Sequence, residues 1–383
     1  MSDHIQADTL ISLPHETTTS HTQIIHARHG RTVLFTCYNA QKNKDTITLY
    51  RVHIDSLSCK ELRLYLPGIG RYLQEHRLHN IEHVAFDERR VFLAFHDQLL
   101  QCRYDTDGLL AVDWQTQVAP HFNEMFLLDR NTLVFSRCYP YGYEGMSPVT
   151  LFTYDIPTRK TTQTIEPEYN TPLLSPILPF KHMDVQAGSI LWANRNEYSF
   201  TLYNSRLEMT SRAKGEENDF KGIPGQKLKR ITKKNLSGMD LIEEMRPLIF
   251  LYDRVDFAYL VDDSNVAIVR CPKVEKHSLT KNRLDWWRRK DGQWRQIAHG
   301  IEDFAYNEVP FSDPVDRNHL QIGWLMGRTV VMFDDKIVSI SKDGVPTSPI
   351  GISRKEYFEE RNRWLLENDT HIEIYIISHN FAK

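Results

Sequence analysis

The segment Arg28-His29-Gly30-Arg31-Thr32 is the part of the sequence whose residue types come nearest to a catalytic motif. A histidine flanked by arginines can act as a nucleophile when a neighbouring base and a shaped pocket activate it. That chemistry needs a strand ending in the motif, a helix behind it, and a second histidine in the pocket. Here the apolar run Val33-Leu34-Phe35 follows directly, which is typical of another strand. We therefore predict a tight turn between two strands.

Histidine clusters are the next candidates for chemistry, because the chain has 17 histidines. His76, His79 and His83 would share one face of a helix. Residues 81–88 are patterned as a strand, however, so His83 is expected to leave that face, and the set of metal ligands is then incomplete. Acidic pairs such as Glu243-Glu244 fall on turns or on a polar helix face. We expect no metal and no cofactor, we assign no catalytic residue, and the sequence favours a protein that is not an enzyme.

A polar hairpin turn that recurs along the chain indicates the architecture. Each turn is centred on an Asp or Asn, whose short side chain can accept hydrogen bonds from backbone N–H groups two residues further on, which favours reversal of a strand. Successive turns are separated by 50, 50, 49, 87 and 52 residues. The turns are centred on Asp55, Asp105, Asp155, Asn204, Asp291 and Asp343.

Two further strands precede most of these hairpins, so each unit has four strands. The second strand is strongly apolar, as expected for a strand that is covered on both faces. Units of this length with four antiparallel strands are typical of propeller blades. We predict an all-β, six-bladed β-propeller with a basic insertion and a short C-terminal helix. Seven blades are the alternative, because the apolar segments 247–254 and 371–378 could belong to an extra blade.

Three segments fall outside the repeat and set the predicted domain organisation. Residues 1–21 form an N-terminal extension, and residues 22–350 form the propeller. The long step contains an insertion at about 213–254, predicted as a polar basic segment followed by a short helix and an extra strand. Residues 351–383 contain the C-terminal helix and a strand, 371–378, that closes the ring. The segment 9–13 is the alternative closing strand, with less regular alternation.

Net charge and cysteine content restrict the environment only weakly. The formal net charge of −3 gives no overall attraction to nucleic acid or membrane. The five cysteines are far apart and show no zinc-like spacing, which suits free thiols in a reducing compartment. The first 20 residues have no signal-peptide pattern, and there is no run of 18 apolar residues. We expect a cytoplasmic protein without membrane insertion, or a periplasmic one if a leader has been removed.

The blade-end segments LFTYDIPTRKTTQTI, at 151–165, and SFTLYNSRLEMTSRAKGE, at 199–216, carry a family resemblance. The pattern resembles the bacterial six-bladed propellers of the NHL and TolB-like kind over roughly residues 22–350. The resemblance implies a ring whose face loops bind diverse partners. It transfers no functional residue to this chain.

Positive charge concentrates in the insertion and in one following hairpin, where tryptophans accompany it. Because adjacent strand residues point to opposite faces, at least one of Trp286 and Trp287 is expected to be partly exposed. Aromatic residues with arginine suit a protein interface and also the binding of bases and phosphates. The simpler interpretation is a solvated insertion with tryptophan packed under arginine stems. The candidate partner-binding residues are Lys229, Arg230, Lys233, Lys234, Trp286, Trp287, Arg288, Arg289, Trp294 and Arg295.

From these features we predict a non-catalytic protein–protein interaction module. Its partner surface would combine the insertion at 213–254 with the Trp/Arg-rich hairpin at 285–296. The alternative is an enzyme or small-ligand binder that uses the funnel at the ring axis. Nucleic-acid binding is a third, weaker hypothesis.

Overall fold

A computed structural model describes the strands of the repeat and three helices. The chain forms two compact units, built mainly on Gln6–Leu133 and on Lys160–Tyr357. The described residues are 9–14, 25–29, 32–36, 45–53, 58–76, 81–95, 97–105, 107–118, 122–137, 149–167, 183–194, 196–215, 220–234, 236, 238–271, 273, 281–305, 321–325, 328–333, 336–340 and 371–376.

The first unit contains two four-stranded antiparallel meanders. In chain order its strands are β1 (Thr9–Pro14), β2 (Ile25–His29), β3 (Thr32–Thr36), β4 (Thr46–His53), β5 (Ser58–Tyr65), β6 (His83–Phe86), β7 (Arg90–Phe95), β8 (Gln98–Tyr104) and β9 (Leu109–Gln117). The meanders join into one sheet of order β2-β3-β4-β5-β9-β8-β7-β6. The junction is a short parallel pairing, with Arg63 opposite Leu109. It is closed by a 2.9 Å hydrogen bond from Arg63 N to the carbonyl of Gly108.

Three more four-stranded sheets follow, and each keeps its strands in chain order. The first comprises β10 (Glu124–Asp129), β11 (Thr132–Arg137), β12 (Thr150–Asp155) and β13 (Lys160–Ile165). The second comprises β14 (Met183–Gln186), β15 (Ser189–Asn194), β16 (Ser199–Tyr203) and β17 (Met209–Lys214). The third comprises β18 (Arg254–Asp262), β19 (Asn265–Cys271), β20 (Lys281–Lys290) and β21 (Gln293–Ala305).

The last strands differ from the predicted closure of the ring. A three-stranded sheet contains β22 (Gln321–Leu325), β23 (Arg328–Phe333) and β24 (Lys336–Ile340). The strand β25 (His371–Ile376) pairs antiparallel with β1, so the two predicted closing strands bind each other. Neither pairs with β24 in the part of the chain that the structure describes. The predicted helix at 353–368 lies outside the described residues.

The sheets have the burial gradient of propeller blades. Second strands are almost completely buried, as in β7, β11 and β15, whereas the fourth strand β13 is exposed along nearly its whole length. First strands of successive sheets contact each other, β2 with β6, β6 with β10, and β14 with β18. Side chains are therefore covered on both faces near the first strands and solvated at the outer edge. The fold is an all-β propeller, as predicted.

The predicted turns at Asp105, Asp155, Asn204 and Asp291 connect third strands to fourth strands, and those at Asp55 and Asp343 lie outside the described residues. Asn204 lies between β16 and β17, and its side-chain oxygen accepts hydrogen bonds from the backbone N–H groups of Arg206 (2.9 Å) and Glu208 (3.0 Å). Asp291 and Gly292 lie between β20 and β21 with φ of 52° and 77°. Two consecutive positive φ values are those of the tight hairpin turn that suits twisted strands.

The insertion differs from its prediction, because it folds as two helices. After α1 (Ile69–Glu75), the helices are α2 (Gly225–Lys233) and α3 (Gly238–Leu251). The segment 247–254 was predicted as an extra strand, but Pro247 to Leu251 belong to α3 and β18 begins at Arg254. A short apolar run does not distinguish a strand from a buried helix by its periodicity. The predicted extra strand of a seventh blade is thus absent at 247–251.

His83, at the start of β6, is packed against Phe122. The two rings lie 4.8 Å apart between centroids, and His83 Nε2 is 3.2 Å from the Phe122 carbonyl oxygen. A ring N–H donates to that oxygen in the neutral imidazole. Burial lowers the pKa of His83 from 6.5 to about 4, although the hydrogen bond to Phe122 opposes the shift. Folding therefore keeps this side chain uncharged.

We predict that His83 destabilises the protein at acid pH. Between pH 6.5 and about 4 the unfolded chain binds a proton at this position and the folded chain does not. Stability is therefore lost as the pH falls through that window, by at most about 3 kcal/mol. His83→Gln, which keeps a donor for the Phe122 carbonyl, should reduce the difference in urea midpoint between pH 7.5 and pH 5. The exposed His29→Gln is the control, and equal losses in all three proteins would contradict the prediction.

Candidate partner-binding surface

Helix α2 separates apolar and basic side chains onto opposite sides. Leu228 and Ile231 are 7% and 5% exposed and form the buried side. With 3.6 residues per turn, Lys229, Arg230 and Lys233 point away from them, and all three are exposed. We call these three residues the basic face. Of the sequence-predicted site residues, this group is the one that the structure brings together on an exposed surface.

Other lysines of α2 are bound within the insertion. Lys227 Nζ donates to the Tyr252 hydroxyl at 2.7 Å and lies 5.1 Å from the centre of that ring. Lys234 Nζ lies 2.5 Å from Glu244 Oε1, which links the end of α2 to α3. Lys234 was predicted as a partner-binding residue, but its charge is already paired inside the helical hairpin.

Two polar side chains attach the insertion to the propeller. Asn196, between β15 and β16, accepts from Ile223 N at 2.6 Å and donates to Ile223 O at 2.8 Å. Asp253 accepts from the backbone N–H groups of Lys221 (2.6 Å) and Lys273 (2.7 Å). A Cβ on Gly222 would overlap the Asn196 carbonyl oxygen, so the chain approaches closely only because this residue is glycine. The two ends of the insertion are therefore fixed.

Beneath this attachment lies a buried ion pair. Arg270 of β19 and Asp285 of β20 are 3% and 0% exposed, and their guanidinium and carboxylate are in direct contact. Tyr198 donates to Asp285 Oδ2 at 2.5 Å, and the Arg270 guanidinium lies 4.6 Å from the Tyr198 ring centre. Burial, followed by the negative charge of Asp285, raises the pKa of Tyr198. The hydroxyl therefore remains a donor to the carboxylate.

The Tyr198 ring connects the ion pair to the insertion. It stacks on Phe220, at the start of the insertion, with ring centroids 5.5 Å apart. Its other neighbour is Trp287, at 5.9 Å with an edge-on geometry. A Cβ on Gly215 would overlap the Tyr198 ring, so this packing also requires glycine. None of the residues that attach the insertion could be predicted from the sequence, because their local spacing forms no recognisable pattern.

The tryptophans predicted for the partner surface belong to the core. Trp286 and Trp287 are 3% and 5% exposed, so the predicted exposure of at least one of them is wrong. Trp287 packs edge-on against Phe200 at 5.6 Å, and Trp286 Nε1 donates to Asn265 Oδ1 at 3.2 Å. Trp294 is half-buried, and its Nε1 donates to Ser211 Oγ at 3.0 Å. The alternation along β20 is as predicted, but both faces of this sheet are covered.

The arginines of the hairpin lie at the end of β20 that is far from the attachment of the insertion. The end of β19 and the start of β20, where Arg270 pairs with Arg283, are next to the insertion. Arg288 and Arg289 are at the opposite end of β20, about 17–20 Å from Arg283 at about 3.3 Å per residue. Arg288 Nε donates to Asn265 there, and Arg295 is exposed. The hairpin arginines and the attachment point of the insertion therefore lie at opposite ends of β20.

The other candidates for chemistry that the structure describes are placed as the sequence indicated, and His79 lies outside the described residues. His29 and Thr32 face each other across the β2–β3 hairpin, which confirms a strand–strand turn. His76 ends α1, whereas His83 lies on β6. Among the described residues, no three His, Cys, Asp or Glu side chains could hold a metal ion. Cys102 is a buried free thiol, and burial raises its pKa to about 12. None of the described helices is long and apolar enough to cross a membrane.

Comparison with known proteins shows similarity at the level of structure. No family model and no curated protein sequence matches the chain. The periplasmic gluconolactonase of Pseudomonas aeruginosa is similar with a TM-score of 0.49 and 12% identity, over 88% of this chain and 86% of that chain. The Pan2 WD40 domain of Neurospora crassa is similar with a TM-score of 0.44 and 7% identity, over 89% of this chain and 81% of that chain. The β-propeller domain of the Trilobed protease from Pyrococcus furiosus is similar with a TM-score of 0.40 and 11% identity, over 85% of this chain and 83% of that chain. These likenesses assign no activity to this chain.

We predict that Asn196 controls the attachment of the insertion. Asn196→Ala removes both hydrogen bonds to Ile223, which together contribute about 1–3 kcal/mol. Amide hydrogen exchange in α2 and α3 should then be roughly 5- to 100-fold faster. Asn204→Ala is the matched control, because it removes backbone hydrogen bonds at the opposite end of β16. Unchanged exchange in the helices of the Asn196 variant would contradict this role.

We predict that the ion pair stabilises the protein only as a complete pair. Arg270→Met leaves the Asp285 carboxylate buried without its counterion, which should cost about 3–5 kcal/mol in the free energy of unfolding. The double variant Arg270→Met/Asp285→Leu should recover most of that loss, since no charge remains buried. Urea midpoints of the wild type, both single variants and the double variant measure the coupling. A double variant no more stable than Arg270→Met alone would refute the prediction.

Proposed function

We propose that this chain is a non-catalytic binding module of the NHL and TolB-like kind, whose helical insertion binds an acidic surface of a protein partner. The observation that carries the proposal is the basic face of α2. Lys229, Arg230 and Lys233 are exposed together on a helix whose opposite side is buried. Three cations on one helical face attract a complementary negative surface.

The arrangement of charge on α2 supports a role in binding. Lys229 and Lys233 are four residues apart, a spacing at which like charges destabilise a helix by about 0.2–0.5 kcal/mol. The helix has no acidic residue in its first turn to offset this repulsion. A negatively charged partner would remove the repulsion. The attachment through Asn196 and Asp253 would also reduce the entropy lost when the face is ordered by a partner.

A protein partner accounts for the surface better than nucleic acid does. Binding of single-stranded nucleic acid generally combines basic residues with exposed aromatic rings, and Trp286 and Trp287 are buried. Acidic residues of α3, including the exposed Asp240 and Glu243, belong to the same helical hairpin and would repel phosphates. The buried tryptophans are accordingly not part of the proposed partner surface. The arginines of the 285–296 hairpin would form a separate surface.

Charge reversal of the basic face tests this function. The triple variant Lys229→Glu/Arg230→Glu/Lys233→Glu should lose proteins that the tagged wild-type chain retains from a nuclease-treated lysate of its source cells. The matched control is Lys160→Glu/Arg206→Glu/Arg295→Glu, which changes three exposed cations elsewhere by the same charge. Quantitative mass spectrometry should show at least about a tenfold loss for the first variant and none for the control, which corresponds to about 1.4 kcal/mol of binding free energy.

Equal retention by both variants would contradict the proposal. Material that is retained only from a parallel lysate without nuclease treatment would instead indicate nucleic-acid binding, with affinity falling steeply as salt is added. Circular dichroism of each variant confirms that the propeller is folded. The chain itself, when recovered as an untagged second copy, is scored separately from other proteins.

A further inference from the structure

The exposed side of α3 is complementary to the basic face. Asp240, Glu243, Pro247 and Leu251 lie at spacings of three, four and four residues, which places them on one side of the helix. All four are exposed, and Leu251 is 56% exposed. Met245, on another side, is 0% exposed. We call the four residues the acidic face.

The two faces belong to one helical hairpin, and the ion pair between its helices involves a different pair of charges. That pair is Lys234, which follows α2, with Glu244, which lies on the same side of α3 as Asp240 but is already neutralised. In the described part of the chain, no salt bridge joins Lys229, Arg230 or Lys233 to Asp240 or Glu243. Each copy of the chain therefore presents an exposed cationic helix face and an exposed anionic one.

We infer that the acidic partner of the basic face is the acidic face of a second copy of this chain. This inference rests on the proposed function and names its partner. In a twofold-symmetric dimer, α2 of each copy would contact α3 of the other, so the same contact is made twice. Lys229 and Lys233 are separated by about 6 Å along α2, and Asp240 and Glu243 by about 4.5 Å along α3. The charges are thus spaced closely enough to pair across antiparallel helices.

The apolar residues of the acidic face fit the same partner. Leu251 and Pro247 extend the face beyond the carboxylates by two turns of α3. Lysine and arginine have long aliphatic stems that can cover apolar surface while their charged groups bind carboxylates. A hairpin of 9- and 14-residue helices makes a small interface, so association should occur at micromolar concentrations and weaken with salt.

Complementary charge-reversal variants test the dimer. Sedimentation velocity is measured for the full chain at about 100 µM and low ionic strength, where a micromolar dimer is populated. The wild type should sediment as a dimer. Lys229→Glu/Arg230→Glu/Lys233→Glu and Asp240→Lys/Glu243→Lys should each sediment as monomers, because like charges then face each other in both contacts. An equimolar mixture of the two variants should form a heterodimer, because each contact again joins opposite charges.

Three results would overturn the inference: a monomeric wild type, a dimer that neither variant weakens, or a mixture of monomeric variants that forms no heterodimer. The control Lys160→Glu/Arg206→Glu/Arg295→Glu should remain dimeric. Failure here is distinguishable from failure of the proposed function. If the wild type is monomeric but the basic-face variant still loses other proteins from the lysate, only the dimer is excluded.

Discussion

Burial of the second strand on both faces, as in β7, β11 and β15, is the constraint on which the architecture depends. Leu133, Val134 and Phe135 are successive residues of β11, and each is 0% exposed. Because successive strand residues point to opposite faces, both sides of the sheet must be covered by other parts of the protein. The strand cannot meet this requirement in an isolated hairpin. Stacking of similar sheets satisfies it, and the exposed fourth strands mark where the stacking ends.

The helical insertion adds a different requirement, because its base must be held without a sheet. The backbone N–H groups of Lys221 and Ile223 are bonded to side chains rather than to a neighbouring strand. Below them, the Tyr198 ring lies between Phe220 and the Arg270–Asp285 pair. Buried charges are costly when alone and tolerable when fully paired, so this region needs all its members together. That arrangement holds the base of the insertion that carries the basic face.

The separation of charge between α2 and α3 gives the insertion its functional interest. An amphipathic helix usually directs polar residues to solvent whether or not they bind a partner, and many exposed lysines contribute little to stability. Here α2 carries only cations, and α3 carries three carboxylates and one arginine, although both helices belong to one short hairpin. The overall net charge of −3 conceals this local polarity. A surface that carries both signs on separate elements is suited to a partner with the same arrangement.

The tight turns could be predicted from the sequence, and the role of the tryptophans could not. Asn204 accepts from amide groups two and four residues further on, because that bonding involves only neighbouring residues. By contrast, the alternation of side chains along a strand predicted only that Trp286 and Trp287 point to opposite faces of the sheet. Whether either face is exposed depends on what packs against it, and Phe200, which contacts Trp287, is distant in sequence.

The insertion, too, was predictable from the sequence only in part. Its position was evident from the long step in the repeat, and its basic residues were evident from composition. The sequence by itself determined the repeated strand order, the outer hairpins and the site of the insertion, since local turn chemistry and hydrophobic pattern encode them. Tertiary structure was needed to show that residues 247–251 are helical, that the tryptophans are core residues, and that the insertion is attached at the end of β20 opposite the hairpin arginines. Those outcomes depend on contacts between residues far apart along the chain, which no local pattern contains.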